Sequence, residues 1–185
     1  MIKEAQVHGS IFLLLQKFVE SNYGKDSWLE LNKIAQTGQQ TYDMHENYPL
    51  SQLNSIISAA ANLTGLLEND LKGKFGEHLV PDLLNIYKSY LNPGWRTLDL
   101  LENTERIMHK AARQEDNKAN PPILNVSRVS NNFLIIDYYS KRKMANLAIG
   151  MIRGIAKYYN ESDKIDITPT TNPNDERVQI KVKFN

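Results

Sequence analysis

The sequence predicts an α+β domain, in which a helical N-terminal part precedes a C-terminal antiparallel sheet with one long helix packed on it. Two observations carry this. Apolar residues recur at helical spacing from about residue 10 to residue 113, and after Pro121-Pro122 the pattern changes to short runs rich in β-branched and aromatic residues. A single further helical segment interrupts those runs, so helices and strands are grouped rather than alternating, as in an α+β domain.

The elements follow in order. Ser10 is placed to cap a helix over residues 10–22, with Ile11, Leu14, Leu15, Phe18 and Val19 on one face and Gly24 as its stop. Asp26 or Ser27 starts a second helix that ends near Ala35, and the polar segment 38–48 is expected as loop. Leu53, Ile56, Ile57 and Ala60 share one face of a third helix, 50–64. A fourth starts at Asn69, carries Leu71, Phe75 and Leu79, and is expected to stop near Pro81, because proline lacks the N–H donor and crowds the carbonyl four residues back. Residues 82–91 are again helical, and Asn92-Pro93-Gly94 is a turn. A helix over 97–113 ends in the polar stretch 114–120. Strands are expected at 123–128 and 133–139 around a Ser130-Asn131-Asn132 hairpin turn, then a helix at 143–159 and strands at 164–168 and 177–184. With no internal repeat, residues 1–185 read as a single domain.

Composition narrows the partners. With 22 Lys+Arg against 21 Asp+Glu, a net charge of +1 gives no electrostatic basis for binding nucleic acid or an anionic membrane. The absence of cysteine excludes disulfides, thiolate nucleophiles, cysteine zinc sites and cysteine-ligated iron, and suits a cytoplasmic protein. The opening MIKEAQVHGS lacks the basic-then-apolar order of a signal peptide, and the longest apolar run, 11–15, is far too short to span a bilayer.

Two features could carry chemistry. Tyr138, Ser140 and Arg142 stand at i, i+2 and i+4, so on an extended segment they project from one face. Two hydroxyls and a guanidinium suit a carboxylate or phosphate, although the same spacing also describes a polar strand face that meets solvent. The second is His109, on a helical stripe with Leu98, Leu101, Glu105 and Ala112 and at the edge of an apolar face of Leu101, Ile107, Met108 and Ala111. Such a histidine serves either as a hydrogen-bonded boundary residue or as a ligand. His8, His45 and His78 are the rival ligands, and none pairs with another at metal-ligand spacing. One imidazole without a second ligand fits haem, whose porphyrin supplies the other four nitrogens.

Together these pieces resemble the H-NOX (haem nitric oxide/oxygen binding) family, related to the haem domain of soluble guanylate cyclase. The family's Tyr-x-Ser-x-Arg propionate signature is intact at Tyr138, Ser140 and Arg142, and His109 stands twelve residues before Pro121. His8-Gly9-Ser10-Ile11-Phe12, Tyr23-Gly24, Phe75-Gly76 and the segment 149–154 resemble further family motifs, so the likeness spans the chain. The resemblance implies a fold enclosing haem b, with His109 as axial iron ligand and with Pro122, Ile11 and Met108 packed on the porphyrin. It also implies a distal pocket of Leu15, Leu79, Leu83 and Leu147. Oxygen-binding members carry a distal tyrosine five residues past the signature arginine, where this chain has Leu147, and their distal tryptophan and asparagine fall on Leu15 and Leu79. An aliphatic pocket offers no donor to bound O₂, so it favours NO and CO. The cysteines of a zinc site present in some bacterial members are missing here.

The activity this implies is gas sensing rather than catalysis. NO weakens the iron–His109 bond, the helix bearing His109 is freed, and the N-terminal part shifts relative to the sheet. A separate histidine kinase, cyclic-dinucleotide enzyme or methyl-accepting protein then distinguishes the two states. Two other classes stay open on the sequence: a haem-dependent peroxidase-like enzyme, signalled by rapid peroxide turnover, and a haem-free anion-binding or scaffold module, signalled by failure to take up hemin.

Overall fold

The computed structural model describes residues 4–39 and 41–185. The first three residues of the N-terminal segment, and Gln40 within the expected 38–48 loop, lie outside them. Strand β1 (Gln6–His8) leads into α1 (Gly9–Tyr23), α2 (Ser27–Ala35), strand β2 (Asn47–Pro49), α3 (Leu50–Thr64) and α4 (Glu68–Ile86). Then come α5 (Thr97–Asn103), a π-helical segment (Thr104–His109) and α6 (Lys110–Glu115). The C-terminal part is β3 (Ile123–Ser130), β4 (Phe133–Tyr139), α7 (Ala145–Tyr158), β5 (Ile165–Pro169) and β6 (Arg177–Phe184). The expected α+β architecture is the one found.

The sheet has the order β3-β4-β6-β5, with every neighbouring pair antiparallel. Alternation decides its buried face. Leu134, Ile136 and Tyr138 of β4 and Val178, Ile180 and Val182 of β6 point inward and are buried. Ile149, Ile152 and Ile155 of α7 join the same hydrophobic cluster, with Leu98, Leu101 and Met108 from the α5–π segment. Full burial of such a side chain contributes about 1.5–3 kcal/mol. A second cluster gathers Phe12, Leu15, Trp28, Leu53, Ile56 and Phe75, with the rest of the N-terminal helices around them. Helix α4 belongs to both, with Phe75 and Leu79 in the N-terminal cluster and Val80 and Leu84 in the sheet-side one.

Three expectations are corrected. Helix α4 does not stop near Pro81 but runs through it. Pro81 cannot donate to the Glu77 carbonyl, and that oxygen stands 2.7 Å from where a Cβ on Gly154 would be, so α7 packs against the freed carbonyl. A Cβ on Gly76 would likewise fall on the Leu147 carbonyl, and one on Gly150 on the Gly73 carbonyl. Backbone-on-backbone packing along both halves of α4 outweighs the roughly 3 kcal/mol that an interior proline costs. Second, the expected 38–48 loop ends in strand β2, whose Tyr48 pairs with Val7 of β1. Third, the expected helix over 97–113 contains a π segment that ends at His109. Such segments occur mostly as single widened turns, often at functional sites.

Candidate functional site

His109 closes the π segment with its side chain 14% exposed. Its apolar neighbours are as expected, with Leu101, Met108 and Ala111 buried. Its Nδ1 stands 2.8 Å from Oε2 of Glu105, one turn earlier. The same Glu105 oxygen accepts the Leu124 amide of β3 at 3.1 Å, and Oε1 accepts from the Arg113 guanidinium. Burial alone would raise the Glu105 carboxyl, but hydrogen bonds from His109 and Arg113, the His109 charge and the Leu124 amide bring it down to about 2. With Nδ1 committed, Nε2 of His109 has no hydrogen-bond partner among the described residues.

Tyr138, Ser140 and Arg142 come together, though not on one extended strand. Strand β4 ends at Tyr139, and the chain then turns: the Lys143 amide donates to the Ser140 carbonyl at 3.1 Å, and Lys143 has φ 54°. The Arg142 amide donates to Ser140 Oγ at 3.2 Å, while the Tyr138 hydroxyl lies against the Ser140 side chain and the Met144 backbone. Tyr138 and Ser140 are buried, so a polar strand face open to solvent does not describe them. Burial raises the Tyr138 phenol above its ordinary value, with Ser140 and Arg142 opposing. Burial pulls the Arg142 guanidinium down, with Tyr138 opposing. That guanidinium donates to the Gln6 carbonyl at 3.3 Å and the Asn120 carbonyl at 2.6 Å, and pairs with no carboxylate among the described residues. A desolvated cation without an anion is a costly arrangement. The donor set therefore fits a carboxylate-bearing group such as a haem propionate.

The remaining predicted residues fall on the two clusters. Leu15 and Leu79 are buried in the N-terminal cluster, and Ile11, Leu83 and Leu147 pack against it half-buried. Met108 belongs to the sheet-side cluster, and Pro122 is half-buried just ahead of β3. Helices α4 and α7, which carry Leu79, Leu83 and Leu147, lie against each other at Gly76. A cavity of about 600 Å³ opens beside this group, lined by Leu15, Phe18, Leu31, Ile56, Leu71 and Phe75 among others. No histidine is among its lining residues.

The rival histidines have other occupations. His78 meets Phe18 edge-on at 5.0 Å between ring centroids. His8 Nε2 and His45 Nδ1 both reach Oδ2 of Asp116, at 3.1 and 3.0 Å, and the Lys118 amide donates to Oδ1 at 2.8 Å. Asp116 follows α6 directly, so this cluster ties the chain leaving the His109 element to β1 and to the turn before β2. Lys118 pairs with Glu46, and Asn47 Nδ2 donates to the Lys118 carbonyl. Gly9 permits the approach, since a Cβ there would fall on the Asp43 carbonyl. The sequence reading missed the Asp116 cluster and gave Glu105 no role. Only Glu105 had a signal, its i,i+4 spacing to His109.

Comparison with known proteins bears on the fold and the family. An H-NOX protein from S. oneidensis in the Fe(II)NO ligation state superposes with a TM-score of 0.88 at 21% identity, covering 97% of this chain and 99% of that one. The Fe(II) unliganded H-NOX protein from K. algicida gives 0.83 at 19% identity, covering 97% of both chains. These likenesses define the fold as that of H-NOX proteins. The profile of the haem-NO-binding family matches residues 8–168, and the chain belongs to that family, whose H-NOX domains are haem-based gas sensors. Soluble guanylate cyclase 89Da of Drosophila melanogaster is 24% identical over 156 residues, which are 83% of this chain. The chain spans only 23% of that relative's length. Among the described residues, no helix is long and apolar enough to cross a membrane.

Proposed function

We propose that residues 1–185 form a single sensor domain that binds haem b through His109, responds to NO and CO, discriminates against O₂, and is not itself an enzyme. The observation that carries this is His109 itself: Nδ1 is held by Glu105, while Nε2 is left without a hydrogen-bond partner among the described residues. Haem, when bound, would supply the iron chemistry that binds a diatomic gas, and His109 is the residue that would hold the iron. Tyr138, Ser140 and Arg142 hold the propionates, with Arg142 providing the full positive charge. Ile11, Met108 and Pro122 pack on the porphyrin. Leu15, Leu79, Leu83 and Leu147 exclude water from the gas side and offer no hydrogen-bond donor. His109 and its helix answer to the gas, and the ties from that element to β1, β2 and β3 carry the change to the rest of the domain. A separate cytoplasmic histidine kinase, cyclic-dinucleotide enzyme or methyl-accepting protein binds one state in preference to the other.

The test is the absorption spectrum of the ferrous protein before and after NO, in air and without it. A five-coordinate ferrous spectrum that changes with NO and CO and forms no lasting oxy complex is expected. A colourless protein that takes up no hemin overturns the proposal.

A further inference from the structure

The Glu105 carboxylate joins three parts of the molecule, the π segment, α6 and β3. It touches the imidazole of His109, the guanidinium of Arg113 and the amide of Leu124, and it rises from the π segment that ends at His109. We propose that Glu105 is the positioning residue for His109, fixing the ring so that Nε2 is presented to the iron, strengthening its donation, and coupling it to strand β3. The proposal rests on His109 being the iron ligand and adds what governs the strength of that bond.

The chemistry is that of a carboxylate–histidine pair. An imidazole whose Nδ1–H donates to a carboxylate is locked in one tautomer and becomes a better donor through Nε2. Arg113 works in the opposite sense, because its charge on the other Glu105 oxygen draws electron density away from the His109 hydrogen bond. Glu105 thus sits between a group that uses its charge and a group that tempers it. The Leu124 amide gives the arrangement reach. One Glu105 oxygen serves both His109 and Leu124, so a movement of the imidazole disturbs the hydrogen bond to the strand that follows Pro121-Pro122.

The experiment compares Glu105→Gln, Arg113→Ala and His109→Gly in hemin-loaded protein, and Glu105→Ala in the apoprotein. Glu105→Gln keeps shape and removes charge. It should lower the iron–histidine stretching frequency in resonance Raman spectra, raise the haem midpoint potential and weaken hemin affinity by roughly 10–100-fold. Arg113→Ala should move frequency and potential the other way. In the apoprotein, Glu105→Ala should remove the exchange protection of the Leu124 amide. His109→Gly should lose haem and recover an axial ligand with added imidazole; an unchanged ferrous spectrum in that variant defeats the ligand assignment itself. If His109→Gly behaves as expected but Glu105→Gln leaves frequency and potential where they were, the ligand assignment stands and the role of Glu105 falls.

Discussion

Two groups of side chains in this molecule are assigned to opposite faces of one cofactor, and their chemistry differs as much as their position. Around His109 stand Glu105, Arg113 and the Leu124 amide, a network in which one carboxylate answers three donors. Around Leu15, Leu79, Leu83 and Leu147 stand other apolar residues of the N-terminal cluster, with Phe75 buried among them. The first group can tune a bond; the second can only shape a space. On the proposed reading, strength of ligation and choice of gas would be handled by separate elements, the α5–α6 segment for one and α1, α4 and α7 for the other. A sensor needs that separation, because a donor near the gas stabilises O₂ whatever the proximal ligand does.

Among the residues assigned to the propionates, the largest effect is expected at Arg142. Its guanidinium is partly buried and, among the described residues, hydrogen-bonds to carbonyl oxygens and pairs with no carboxylate, so a propionate would be its anionic partner. A hydrogen bond to a charged group is worth about 1.5–3 kcal/mol, against about 1 kcal/mol for a neutral one. Arg142→Ala should therefore lose haem roughly tenfold or more faster than wild type. Tyr138→Phe and Ser140→Ala should lose it less, and Arg142→Lys should fall between. Transfer of haem to a scavenger protein measures this, with circular dichroism as the check on folding. Equal and negligible losses across the set would mean that the array holds no propionate.

Much of the frame is legible in the sequence because its signals are local. The bounds of α3, β4 and β6 follow from periodicity and turn residues alone. The proline in α4 misleads because the packing that tolerates it, glycine against carbonyl, comes from α7 some seventy residues on. The π segment leaves no periodic trace, and β1 and β2 have three residues each, too few to show alternation. At the site, Tyr138, Ser140 and Arg142 are recognisable as a set, but the turn after Tyr139 that gathers them is not what their spacing implies. The Asp116 cluster joins residues 108 and 71 positions apart, and only the folded chain brings them together.

The aliphatic side is tested by adding what it lacks. Leu147 is half-buried against the N-terminal cluster, so a tyrosine there can direct its hydroxyl among the other leucines. A neutral hydrogen bond of about 1–1.5 kcal/mol corresponds to roughly a tenfold gain in O₂ affinity. Leu147→Tyr should convert a ferrous protein with no lasting oxy complex into one with a transient adduct, seen by stopped-flow absorption. A long-lived oxy complex in the unmodified protein would mean that a donor already lines the pocket. His78, which meets Phe18 edge-on, would be the first to substitute, and the division between the two sides would not hold.

The smallest expected effect concerns the tie between the two regions. Asp116 leaves the His109 element and accepts from His8 and His45, which belong to the N-terminal part. The hydrogen bond from His45, then the Lys118 amide and His8, hold its carboxyl at about 2, below the ordinary 3.8, with burial opposing. A carboxyl depressed in the folded state contributes stability that is complete above its unfolded value and is lost as pH falls through the folded one. The tie should therefore persist from neutral pH down to about 4 and weaken from there towards about 2. The carboxyl carbon resonance of Asp116 reports its titration directly, and exchange of the Lys118 amide, which donates to Oδ1, reports the contact. Asp116→Asn should remove the acid-dependent loss of protection while leaving the His109 spectrum at neutral pH in place. A midpoint at the ordinary aspartate value would show that the histidines do not hold this carboxylate. A neutral-pH spectrum altered by Asp116→Asn would show instead that the tie bears on the ligand, making the polar side extend from Glu105 through α6 to the strands that precede α1 and α3.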